Sequence, residues 1–113
     1  MTGDELITAE RRRQRDVEGW TPEHDAEHTN GEMVSAARAY EAHALMLYAP
    51  NNPAAAPAVT EPPVYPYWPW GAGWWRPTWD DGGVRDLVKA GALIAAEIDR
   101  LLALGAEGDG TDG

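Results

Sequence analysis

The chain has 113 residues, with nine Lys and Arg against nineteen Asp and Glu, so its formal net charge is −10. That length holds one domain and leaves about a third of the unfolded surface exposed, so large side chains must carry the core; here they are six Trp and four Tyr, with no Phe. The lack of cysteine excludes disulfides, thiolate metal sites and cysteine nucleophiles, and the acidic balance has the wrong sign for direct counterion-release binding to nucleic acid.

Residues 4–18 are rich in helix formers, with Leu6, Ile7, Ala9 and Val17 as apolar anchors, and predict a first helix. Neither this polar N-terminus nor any other stretch offers the apolar run of a signal peptide or membrane span, so the chain reads as a cytoplasmic protein with no membrane partner. Gly19 supplies a helix stop, and Trp20 beyond it can fold back on the last turn. The run Arg11-Arg12-Arg13-Gln14-Arg15 would mark a nucleic-acid patch in a basic protein. In this acidic one it is expected to pair with the chain's own carboxylates, with anion binding by one or two guanidinium groups left open.

Residues 21–28, containing Pro22, Glu23, His24, Asp25, Glu27 and His28, read as a polar loop with one helical turn. Thr29-Asn30-Gly31-Glu32 fits a capping box. Apolar positions 33, 36, 37, 40, 44 and 47 then recur at helical spacing, predicting a second helix from Met33 to about Tyr48 that ends before Pro50. Residues 51–63 form a Pro/Ala tract of linker-like composition, and eight of the nine prolines lie between residues 50 and 77, which excludes regular helix there. Residues 65–79 hold seven aromatic side chains in fifteen, unlike any solvated linker.

Asp80 or Asp81 offers a cap for the last helix, whose Val84, Leu87, Val88, Gly91, Ile94, Ala95, Ile98, Leu101 and Leu102 form one apolar stripe. Gly91 inside it implies close approach of a ring or another helix. Gly105 is expected to stop the helix, leaving residues 106–113 as a disordered tail. The whole is a mainly α, small single domain over residues 1–105, of about three helices. The Trp/Pro-rich irregular segment packs between the second and last helices, and 51–63 is a linker-like insertion.

The aromatic segment is expected first to roof the groove between those helices, each buried ring removing about 150–250 Å² from water. Rings left open would stack on a base or peptide, with Arg76 set for a phosphate or carboxylate. Trp20, His24, Asp25, His28, Trp74, Trp75, Arg76 and Trp79 form the candidate ligand-binding set, and a cleft where such rings face the His24/His28 loop is the place to look. His24 and His28, four apart among carboxylates, also have a spacing that binds divalent metal, yet Asp25 stands where a zincin carries Glu. No catalytic residue, metal site or cofactor is assigned. Ser35 lies in a helix with no elbow motif, and Gly71-Ala72-Gly73 runs into Trp74-Trp75 instead of a helix opening. A MazG-type pyrophosphohydrolase would need Glu-x-x-Glu and Glu-x-x-Asp ladders, where this chain has Ser35 after Glu32 and Arg100 after Glu97.

Glu10-Arg11 with Gln14, Glu18-Gly19-Trp20-Thr21-Pro22-Glu23-His24-Asp25, His28, Gly31-Glu32, Trp68-Pro69-Trp70, Trp74-Trp75, the run from Arg85-Asp86-Leu87-Val88-Lys89 to Ala90-Gly91-Ala92-Leu93-Ile94, and Glu97-Ile98 together carry a resemblance over nearly the whole chain. On them it resembles a group of small uncharacterised proteins of tailed phages and prophages. Gly19-Trp20, Asp25, His28 and the last helix are also similar in order to the repeat domain of ryanodine receptors, although the Tyr-Gly and His-Pro marks of that repeat are missing. The phage resemblance carries no established activity; an accessory protein with no catalytic constellation, an aromatic platform and convergent polar groups is expected to be a binder. The expected function is sequestration of a nucleotide immune signal of the bacterial host, in a homo-oligomer joined through the long apolar stripe. The alternatives are an acidic protein-interaction inhibitor or adaptor of the DNA-mimic type, and a metal-dependent hydrolase built on His24 and His28.

Overall fold

Helix α1, Gly3–Asp16, opens on Thr2, whose backbone N–H donates to the Glu5 carboxylate at 3.1 Å. The computed structural model describes residues 1–53 and 67–109, with side chains described as far as residue 105. Most of the Pro/Ala tract, Tyr65 and residues 110–113 lie outside the described residues. α1 ends as expected: beyond Gly19 the chain doubles back, and the Trp20 N–H donates to the Gln14 carbonyl at 2.8 Å. The polar stretch that follows does contain one turn, α2, Pro22–Asp25, whose first turn is capped when the His24 N–H donates to the Thr21 hydroxyl at 3.3 Å.

α3, Glu32–Leu45, continues into a 3-10 turn, Met46–Tyr48. The Thr29 capping box does not form. Gly31 is the residue before the helix, with φ of 79°, a left-handed conformation that suits glycine and takes Thr29 out of capping position. The Glu32 carboxylate still reaches back, but to the Asn30 N–H at 2.6 Å.

α4, Val84–Asp109, is anchored by Asp81, whose carboxylate accepts the N–H of Gly83 at 3.1 Å and of Arg85 at 2.8 Å. It does not stop at Gly105 and runs on to Asp109. One helical glycine costs only about 1 kcal/mol, and the flanking Leu, Ala and Glu are good helix formers with no proline following.

α4 packs against both α3 and α1. The α3–α4 contact is built largely from alanines: Ala36, Ala37, Ala39, Ala42 and Ala44 on α3 and Ala90, Ala92 and Ala96 on α4 are buried, with Met33 and Leu93 beside them. Trp68 and Trp75 close this core from above, their rings 5.1 Å apart and 5.6 and 4.8 Å from Tyr40. The roofing role of the aromatic segment is therefore met by these two rings. Its far end is tied down by a buried polar link: the Asp86 carboxylate accepts from His43 on α3 at 2.5 Å and from the Thr78 N–H at 2.9 Å.

The stripe on α4 is not one core face. Val88 is buried with the alanines, and Gly91 receives Ile7 of α1, whose Cδ1 would lie 2.6 Å from a Cβ at that position. The expected close approach is thus made by a helix. Val84, Leu87, Ile94, Ile98, Leu101 and Leu102 instead remain 41–65% exposed. The small residues win the α3 contact because methyl groups let two backbones approach closely, which rotates the larger side chains outward.

Candidate functional site

A cleft of about 670 Å³ opens between α1, α2, the aromatic segment and α4, within the roughly 300–1,000 Å³ range of small-molecule sites. Its walls come from distant parts of the chain. α1 and the turn after it supply Glu10, Arg13, Gln14, Glu18 and Trp20; α2 and the turn after it, His24 and His28; the aromatic segment, Trp68, Trp70, Trp74 and Arg76; α4, Arg85, Lys89 and Leu93.

One wall is a run of rings. Trp20 and His24 lie parallel at 5.9 Å, His24 meets His28 edge-on at 4.9 Å, and His28 meets Trp70 at 5.4 Å. The i,i+4 spacing of the two histidines is what sets them side by side. His24 Nδ1 lies 3.1 Å from Asp25 and His28 Nδ1 3.4 Å from Glu32, so each imidazole is oriented by a carboxylate. Among the described residues, no group of three or more His, Cys, Asp or Glu side chains converges to hold a metal.

The facing wall is cationic and is organised by Glu10. This carboxylate is buried and accepts both Arg13 Nε and a terminal Arg13 nitrogen at 2.9 Å, Arg85 at 2.5 Å and the Gln14 amide at 3.3 Å. Burial alone would raise its pKa; the hydrogen bonds from Arg13 and Arg85 outweigh that and hold it below the ordinary carboxylate value. Arg13 also reaches Glu18 at 2.7 Å. Lys89 donates to the Arg76 backbone carbonyl at 2.7 Å and lies 5.2 Å from the centre of the Tyr40 ring. Burial, followed by the nearby Arg85 charge, lowers its pKa. Burial likewise raises the Tyr40 phenol to about 12, so it stays protonated.

Among the described residues, four of the nine cationic side chains line the cleft, against two of the fifteen acidic ones. In a chain of net charge −10 this is a local reversal of sign. Gln14, 2% exposed, adds a buried acceptor: among the described residues its Oε1 has no hydrogen-bond partner.

No family model, no curated protein and no solved structure matches this chain.

Of the candidate ligand-binding residues, Trp20, His24, His28, Trp74 and Arg76 line the cleft. Asp25, Trp75 and Trp79 do not. Asp25 is buried behind His24, 3.8 Å from Arg11; Trp75 is a core ring on Tyr40; and Trp79 packs edge-on against His43 at 4.1 Å, on the side away from the cleft. Two members of the arginine run pair with the chain's own carboxylates, Arg11 3.1 Å from Asp99 and Arg13 held by Glu10 and Glu18. Ser35 is structural, its hydroxyl donating to the Tyr67 carbonyl. Arg85, Lys89 and Tyr40 also line the cleft, and the sequence alone does not mark them as ligand contacts. Glu10/Arg13/Gln14 on one face of α1 and Arg85/Lys89 four apart on α4 carry the available signal.

Proposed function

We propose that this protein is a phage-encoded binding protein that sequesters a nucleotide, of the kind bacterial hosts use as immune signals. The observation that carries this reading is the pairing of a ring wall with clustered cations in an otherwise acidic chain. Nucleotides need both: an aromatic face for the base and Arg or Lys for phosphate. Arg85 and Arg13 are held in place by Glu10 before any ligand arrives, which lowers the ordering cost of binding. The unpartnered Gln14 Oε1 offers a site for an amino or hydroxyl donor. Binding is favoured over turnover because the cleft carboxylates, Glu10 and Glu18, are both engaged by arginine.

A thermal-shift screen against mononucleotides, dinucleotides and cyclic nucleotides, with Trp fluorescence as second readout, tests the proposal. A stabilising shift with quenching, lost in Arg85→Ala and weakened only modestly by salt, is expected. If no nucleotide shifts the protein, the reading fails, and a partner with a basic surface, bound in a steeply salt-dependent way, becomes the better account.

A further inference from the structure

Along α4, residues 84, 87, 91, 94, 98, 101 and 105 recur at alternating spacings of three and four. This is the a/d pattern of a helix that packs along its length on another helix. The a positions are Val84, Gly91, Ile98 and Gly105, and the d positions are Leu87, Ile94 and Leu101, with Leu102 and Leu104 flanking the seam. Among the described residues, Gly91 receives Ile7 of α1. Leu87, Ile94, Ile98 and Leu101 stay 41–51% exposed, and Leu102 and Leu104 57–65%. α4 has 26 residues against 14 in α3, and residues 101–105 are exposed on every face. An isolated helical end carrying three leucines is marginal in water and gains stability chiefly by packing.

We infer that a second copy of this chain covers the seam, α4 against α4 about a two-fold axis. The tract between α3 and α4, with four prolines in residues 54–66, has the wrong composition to supply a helix to this seam. The six exposed apolar side chains offer roughly 500 Å² per protomer, which matches the apolar share of a standard interface of about 800 Å² per partner. A two-fold contact is self-complementary, so one stripe supplies both sides. The seam residues are not among those lining the cleft, so pairing leaves the cleft open.

Sedimentation or light scattering of the full chain over a concentration series tests this. The expected mass is twice the 12.3 kDa of the chain. Ile98→Asp and Leu101→Lys, both at half-exposed positions, should give monomers with the same near-ultraviolet signal from the tryptophan core. A wild-type protein that stays monomeric at high concentration overturns the inference. So does a dimer whose dissociation constant changes less than about threefold in both variants, because that dimer uses another face.

Discussion

Replacing Glu10 by Gln keeps the side chain's shape and removes its charge, and the effect can be worked from the surroundings. Glu10 is 2% exposed and accepts three bonds from two guanidinium groups. A charge-assisted bond contributes about 1.5–3 kcal/mol when shielded. The Arg13 and Arg85 side chains are 38% and 36% exposed on the wall of an open cleft, so solvent screens them and about 1 kcal/mol for each of the three bonds is the better figure. Gln avoids about 1 kcal/mol of the carboxylate's desolvation cost, which leaves a net loss of about 2 kcal/mol, or about 10 °C in Tm. The folded pKa lies below the ordinary value of 4.5. The carboxylate's contribution is therefore complete above that value and is lost as pH falls through the folded pKa. Urea unfolding followed by Trp fluorescence should show the full Glu10→Gln deficit at neutral pH and a narrowing deficit in acid. A variant within about 0.5 kcal/mol of wild type at neutral pH, or a deficit that does not narrow, refutes the reasoning.

Other expectations follow from single contacts. Gly91→Ala gains about 1 kcal/mol of helix propensity but sets a Cβ against Ile7, so it should destabilise by about 1 kcal/mol; in an Ile7→Ala background the same change should stabilise, and a double-mutant cycle reads that reversal. Asp86→Ala removes the carboxylate that accepts from both His43 and the Thr78 N–H and should cost about 3 kcal/mol in chemical denaturation; a loss under about 1 kcal/mol would show that the link matters little. The pKa of Lys89 is lowered, so nucleotide affinity measured by fluorescence should fall as pH rises through it, at a lower pH than an ordinary lysine would set, and Lys89→Met should remove that step.

What the sequence made legible follows from which interactions are local. The turn after Gly19, the one-turn α2 and the side-by-side histidines each depend on neighbours within a few positions, and all were readable. The capping box was equally local but lost to Gly31, because two residues competed to set the same turn. The ring directions in the aromatic segment had no period to follow. Trp68, Trp70 and Trp75 turn toward the core or cleft while Trp79 turns to His43, a choice made by tertiary packing alone. The cationic wall depends on α1 meeting α4 across 75 residues of chain, through Glu10 and Arg85. Both halves were visible as spaced charges, but nothing local says that they meet. The apolar stripe on α4 is legible from its spacing, but the share of it that enters the core is not, because the alanines take the place nearest α3.

Those alanines have a bearing on the cleft that none of them touches. α4 carries Arg85, Lys89 and Leu93, and the ring-bearing segment rests on α3, so the methyl groups of Ala36, Ala39, Ala92 and Ala96 act as spacers that set the gauge between the two walls. Exchanging one for Gly or Val would shift a helix by a fraction of an ångström and retune which ligands fit, with every lining residue unchanged. On the proposed ligand-binding reading, selectivity can therefore drift through the most conservative-looking positions of the chain.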